Sequence, residues 1–369
     1  MKREYYIDVL RVYLTVLVVF HHSAISFGAL GGWYYVSKTP TSGLTQMLLS
    51  ASVGINQAFF MSLFFFISAF FMRPSFEKKG FRNFLKDRWI RLGIPLLVYI
   101  LLLHPTLVYW IHLYEGKTDA SWLSFIEMMN VHHSSPGPMW FVLTLLFFET
   151  IYAFYQKLQK GKQLSSLISK YPSSMGILSF ILISGLFAYL IRLIYPVGKS
   201  TFNLQFGYFA LYITMYIAGI AAYRNKWLDK ISIKKSMPWF IISLIGILVF
   251  VWVLATHFNN LSSFNGGFNG EALFYAMWEP VVCVGISYFL LALSKRFFNH
   301  PNKAILQLSV NSYGAYIIHP MIVVCFTFLV EQLSISPLLK LVLVLVTGIP
   351  LCFAIASLLR YIPIVKKVL

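Results

Sequence analysis

Ten long hydrophobic runs recur along this chain, and that recurrence limits the possible fold more than any other feature. They cover residues 7–28, 45–72, 90–113, 137–156, 174–195, 201–223, 237–257, 270–294, 306–330 and 337–360. Each is close to the roughly 20 apolar residues an α-helix needs to cross the hydrocarbon core of a bilayer. Strands of a membrane barrel are about half as long and alternate in polarity, which these runs do not. Only 11% of the residues are charged, against roughly a quarter in soluble domains, too few to clothe a water-facing surface. The expected fold is all-α: a polytopic membrane helix bundle of about ten transmembrane helices. No repeat, low-complexity tract or long linker interrupts it, so residues 1–369 read as a single integral membrane domain.

The basic residues orient that bundle. Of 30 Lys and Arg residues, 24 lie in alternate loops and the two termini, from Lys2 and Arg3 through the 73–91 loop to Lys366 and Lys367. The intervening loops hold only Lys38, Lys117, Lys199 and Lys340, while Arg11 and Arg192 sit within spans. Basic residues mark the cytoplasmic side of a membrane protein, so both termini are expected inside. The same clustering removes nucleic acid as the reason for the net charge of +18, because no continuous basic face exists. The segment after Lys2-Arg3-Glu4 has no clean small-residue cleavage site and reads as a retained first helix. Cys283, Cys325 and Cys352 all fall inside apolar spans without metal-like spacing and read as small core residues.

Ionisable groups within a bilayer cost several kcal/mol and are functional candidates for that reason. Arg11 and His22 form the sharpest pair. Eleven residues at 100° each return to within roughly 20° of one helix face, about 16 Å further along. Arg11 is either a snorkelling residue or a fixed cation, and His22 either a buried neutral imidazole or a reactive one. Asp8, one turn before Arg11, is placed to hold it. His319 follows Tyr313 and Tyr316 at i, i+3 and i+6, and Pro320 behind it frees a backbone carbonyl one turn earlier. Packing and function are both open there. Glu149 and Glu279 are buried carboxylates, suited to pairing with a buried cation or orienting an imidazole. Arg82, Lys86, Arg88 and Arg91 form a basic rim on the cytoplasmic side, made for lipid headgroups or for an anionic ligand. His132 and His133 are a weak metal signal in an outer loop. No phosphate-cradling glycine loop, HExxH or GxSxG occurs, which leaves no support for an ATPase, zinc protease or serine hydrolase.

Several of these residues sit in patterns that resemble the membrane acyltransferase 3 family. Arg11, ten residues and then His22 resemble its R-X10-H signature. Phe64-Phe65-Phe66-Ile67-Ser68-Ala69-Phe70-Phe71 is similar to its FFxxSGxF segment, with Ala69 in place of Gly. Arg88 through Arg91-Leu92-Gly93-Ile94-Pro95 is similar to its RxxR(L/V)xxP entry to the third helix. Pro138-Met139-Trp140-Phe141 resembles its LWF motif with Pro-Met before Trp-Phe, and Ser312-Tyr313 to His319 resembles its SYxxYxxH element. The order and the ten helices agree over nearly the whole chain, and the glucan-modifying branch, with its glucan succinyltransferases, is the most similar.

That resemblance implies an acyltransferase moving an acyl group from cytoplasmic acyl-CoA, acetyl-CoA or succinyl-CoA, to a hydroxyl of an extracytoplasmic carbohydrate. It implies a multi-pass protein of a bacterial plasma (inner) membrane, with no metal. His22 is then the expected general base or acyl-accepting nucleophile. Arg11 joins it in the catalytic set with Glu149, and Tyr316 or His319 is expected to donate to the oxyanion. Arg11, Arg82, Lys86, Arg88 and Arg91 are expected to bind the CoA phosphates. The rival is a secondary transporter using the intramembrane His, Arg and Glu; no inverted repeat supports it.

Overall fold

The computed structural model describes residues 3–129, 134–158 and 171–369. Fourteen α-helices form among them: α1 Tyr5–Ser26, α2 Gly43–Phe70, α3 Met72–Arg88, α4 Ile94–Val98, α5 His104–Tyr114, α6 Trp122–Met128 and α7 Trp140–Leu158 precede α8 Ser174–Ile194. Then come α9 Phe209–Arg224, α10 Ile233–His257, α11 Gly270–Phe298, α12 Lys303–Glu331, α13 Pro337–Leu359 and α14 Pro363–Val368. Ten helical stretches among the described residues are long and apolar enough to cross a membrane, so the helical reading and the number of spans both hold. No strand forms among the described residues beyond one isolated bridge between Thr201 and Leu204.

Local chemistry sets the ends. Side chains of Ser173, Asn269 and Ser336 accept the backbone N–H groups of Gly176, Ala272 and Leu339 at the starts of α8, α11 and α13. Such caps satisfy orphan donors that the first helical turn leaves open. The expectation of a loop over 73–91 is corrected. The segment is helical through α3, with its one break at Gly80 (φ 69°). Arg73 to Glu77 at 2.7 Å and Asp87 to Arg91 at 3.4 Å are spaced i,i+4, a pairing that supports a helix despite the density of charge.

From α3 the chain continues without a gap into the third span through two π-helical turns, Trp89–Gly93 and Tyr99–Leu103. Each ends two residues before a proline, Pro95 and Pro105. A proline donates no N–H to the helix ladder. The residue before each one instead reaches back five places, Ile94 N–H to Trp89 O and His104 N–H to Tyr99 O.

The chain forms two compact units. The first comprises 1–11, 54–85 and 148–302, and the second 12–53, 86–147 and 303–369. Within the first, small residues let helices approach closely, the usual basis of helix association in lipid. Ala188, Ala210 and Ala276 meet where α8, α9 and α11 converge, and Gly285 of α11 lies against Trp239 O and Ser243 of α10. Aromatic stacks, Phe240 on Phe289 at 4.0 Å and Phe250 on Trp278 at 4.1 Å, line the same seam. The fully buried Arg192 pairs with Glu279, donates from Nε to Gly207 O at 3.0 Å, and lies over the Tyr275 ring at 4.8 Å. The expectation that Glu279 partners a buried cation therefore holds.

In the second unit α12 and α13 pack through Ala315, Cys352, Phe353 and Ala356, with Val12 and Val16 of α1 against them. Gly314 faces Ala356 there. All three cysteines are free, and Cys283 and Cys352 are buried.

A side chain at position 285 would have to displace backbone, since its Cβ would stand 2.4 Å from Trp239 O. Gly285→Val is expected to cost about 1–3 kcal/mol. A thermal melt of the detergent-solubilised protein should show a clear drop, and an unchanged midpoint would refute this account of the α10–α11 seam.

Candidate active site

His22 and His319, 297 residues apart in sequence, meet inside the second unit: His22 Nδ1 lies 2.9 Å from His319 Nε2. Their rings are nearly parallel, 16° between planes and 5.0 Å between centroids. His319 is completely buried on α12. The reason it holds its pose is one residue further on. Pro320 has no N–H to give the carbonyl four residues back, which belongs to Tyr316. His319 Nδ1 takes that carbonyl instead.

This fixes the protons. A carbonyl only accepts, so neutral His319 carries its hydrogen on Nδ1 and presents a bare Nε2. His22 then donates from Nδ1 to that nitrogen, the Val18 carbonyl is a second acceptor against the same ring, and the remaining lone pair is on Nε2. The order is a base, an acceptor that orients it, and a backbone group that orients the acceptor, the logic by which a neighbouring group fixes a catalytic imidazole's tautomer.

A strap between α1 and α2, residues 27–42, closes over this pair. Trp33 stacks on His22 at 4.1 Å and 16°, and lies nearly parallel to His319 at 6.0 Å. The strap is fastened along its length. Leu30 N donates to Ser50 Oγ at 2.9 Å, Ser37 N to Ser26 O at 2.8 Å, and Lys38 N to Glu331 Oε1 at 2.9 Å. Buried Lys340 on α13 donates to Thr39 Oγ1 at 2.6 Å and to Glu331 O at 3.1 Å.

Tyr34 anchors the middle of the strap, its hydroxyl 2.7 Å from His104 Nδ1 and 3.0 Å from Tyr99 Oη. Tyr99 and His104 are five residues apart, and the π turn between them, with its i→i+5 bond, is what brings both to one hydroxyl. Burial pushes the Tyr34 phenol well up, so it keeps its proton through the neutral range. Gly137 (φ 45°) passes directly under that hydroxyl, where a Cβ would stand 2.0 Å away.

The remaining expected residues are distributed as follows. Tyr316 is buried and its hydroxyl donates to Pro138 O. Tyr316 and His319, expected as donors to an oxyanion, both direct their hydrogens to backbone carbonyls in this structure. Arg11 lies in the first unit, where Asp8 faces two cations: Arg3 Nε at 2.8 Å and Arg11 Nη1 at 3.8 Å. Arg11 also lies over the Phe71 ring at 5.1 Å. Glu149, 2% exposed on α7, and the exposed Arg82 are in the first unit as well. Lys86 and Arg91 are exposed and Arg88 half-buried in the second. His132 and His133 lie outside the described residues. Tyr99 and His104 were not singled out by sequence, and Trp33 and Tyr34 were legible there only as aromatics of an outer segment, 29–44, that could stack on sugar rings. Their available signals were a Trp-Tyr pair in a short loop and a second His-Pro step within a span.

Two substitutions test this geometry. Pro320→Ala returns a backbone N–H to the Tyr316 carbonyl and takes away what fixes His319. In ¹⁵N-histidine spectra the wild type is expected to show His22 protonated on Nδ1 alone, and the variant a mixture of tautomers; identical spectra would refute the assignment. Gly137→Ala is expected to lose about 1–2 kcal/mol through its left-handed backbone alone, read as a lowered melting midpoint.

Comparison with known proteins gives the family. The family model described as an acyltransferase domain matches residues 4–357. Proteins named "Glucans biosynthesis protein C" from Salmonella paratyphi B, Salmonella heidelberg and Salmonella dublin are each 28% identical over 233 residues. Each alignment covers 60% of this chain and 58% of the relative, so the chain spans under two thirds of the curated relatives it matches. No solved structure matches it. With the family model covering nearly its whole length, this multi-pass membrane protein belongs to the acyltransferase 3 family.

Proposed function

We propose that the chain transfers an acyl group, acetyl or succinyl, from cytoplasmic acyl-CoA to a hydroxyl of an extracytoplasmic carbohydrate, a glucan above all. The observation that carries the reading is the His22–His319–Tyr316 carbonyl chain, which leaves His22 Nε2 as a base within a membrane domain. A general base needs a proton acceptor held in one orientation near neutral charge, and this chain supplies one. Carbohydrate enters through the relatives, whose printed name assigns them to glucan biosynthesis. Both termini are taken as cytoplasmic from the basic loops, and a bacterial inner membrane fits the bacterial relatives.

In this mechanism the acceptor hydroxyl gives its proton to His22 Nε2 as its oxygen attacks the thioester carbon. His319 Nε2, already accepting from His22 Nδ1, stabilises the imidazolium that forms. The imidazolium then returns the proton to the departing CoA thiolate. For the donor's phosphates, Lys86, Arg88 and Arg91 of the second unit are assigned as charge partners. Arg11 keeps its assignment as a donor-binding residue, so Arg11→Gln should raise KM for the thioester.

The direct test supplies radiolabelled acetyl-CoA and succinyl-CoA to membranes carrying wild type or His22→Ala, both shown to be folded and inserted. Label is expected on envelope glycans with the wild type and to fall by at least a hundredfold in the variant, about the cost of losing a general base. The donor that labels names the acyl group. Equal transfer by His22→Ala would remove the mechanism. No transfer to any acceptor, together with solute uptake that depends on His22, would favour a transporter.

A further inference from the structure

An acyl-transfer site needs a hydrogen-bond donor for the oxygen that becomes negative when the thioester carbonyl is attacked. The two donors first expected for it are committed elsewhere, Tyr316 Oη to Pro138 O and His319 Nδ1 to Tyr316 O. One donor beside His22 is not. The Trp33 indole Nε1 is buried without a hydrogen-bond partner among the described residues, on a ring stacked 4.1 Å over the His22 imidazole. An indole N–H has no acceptor capacity with which to satisfy itself, so a buried one is costly unless something accepts from it. Ser23 Oγ is also buried and unpartnered, but one residue along α1 turns it about 100° from His22.

We infer that the Trp33 indole N–H is the donor to the carbonyl oxygen of the acyl thioester, making Trp33 a catalytic residue of the reaction proposed above. The inference rests on that reading of the site. As the hydroxyl oxygen bonds to the carbonyl carbon, its proton goes to His22 Nε2 and the carbonyl π pair moves onto oxygen, where Trp33 donates. Collapse re-forms the C=O, breaks the C–S bond, and sends the His22 proton to the thiolate. An ester and free CoA thiol result, with no other reactant.

The strap makes such a donor effective. Preorganised donors stabilise charge because they need no reorientation during reaction. Trp33 cannot swing freely: Tyr34, its neighbour, is held by His104 and Tyr99, and Lys38 and Thr39 are tied to Glu331 and Lys340. The stacked face also lies against the ring that becomes an imidazolium, a cation–π arrangement that stabilises the same transition state. Trp33 thus contributes by two separable means, its ring and its N–H.

Trp33→Phe separates them, keeping a stacking ring and deleting the donor. In the full-length protein in membranes, Trp33→Phe is expected to lower kcat about a hundredfold with KM changed less than threefold, and Trp33→Leu to fall further. Wild-type kcat in Trp33→Phe, with the wild type active, would overturn the inference and leave the functional reading standing. A wild type that transfers nothing from any acyl thioester would instead remove the functional reading, and the inference with it. A second measurement needs no variant. In ¹⁵N-tryptophan-labelled wild type, a CoA ketone analogue, with CH2 in place of the thioester sulfur, should move the Trp33 indole proton downfield. A thioether analogue lacking the carbonyl should not, and equal response to both, or to neither when both bind, would overturn the assignment.

Discussion

Inside a bilayer no water waits to accept or donate, so each backbone group that leaves the helix ladder must find a partner in the protein. Pro320 creates one such group, the carbonyl of Tyr316, and the site depends on how it is satisfied. The imidazole of His319 fills the position an amide would have held. From there the assignment follows: the hydrogen sits on Nδ1 of His319, its other nitrogen accepts from His22 Nδ1, which also has the Val18 carbonyl beside its ring, and the His22 lone pair is on Nε2. A proline usually described as a helix breaker here orients two histidines on different helices.

A similar economy governs the third span. Pro95 and Pro105 each remove a donor, and the chain absorbs both losses by widening one turn rather than breaking. The second widening puts Tyr99 and His104 on the same side, where Tyr34 ties down the strap that carries Trp33. In the first unit, the buried Arg192 is made tolerable by Glu279, Gly207 O and the face of Tyr275 together. Removing one partner of such a pair generally costs more than the pair itself contributes.

Much of this was legible in the sequence, for reasons that differ by residue. The ten spans were readable because length and apolarity are local properties of 20 consecutive residues. His22 and His319 stood out individually, since an ionisable group in an apolar run is conspicuous, and Pro320 announced a freed carbonyl. Their meeting was not readable, because no local pattern relates positions 297 apart. Where the hydrogens of Tyr316 and His319 point was not readable for the same reason: a hydroxyl's partner depends on what faces it, and Pro138 faces Tyr316 from the turn before α7. The helix α3 was overlooked because its charges resemble a loop, although Arg73 with Glu77 and Asp87 with Arg91 carried the helical spacing. Trp33 lay outside every span, where an aromatic residue is unremarkable until its neighbours are known.

The two π turns have a consequence for descent as well as for geometry. Each accommodates one residue more than an α-turn, so the loss of a single position there would return the span to α geometry. A relative one residue shorter at the second turn would align with this chain only across a one-residue gap in mid-membrane, and its counterpart of Tyr99 would face away from the strap. The anchor that steadies the indole over the reacting histidine would then be absent even where both histidines and the arginine are kept, so the signature alone underdetermines how well such a relative's site is assembled.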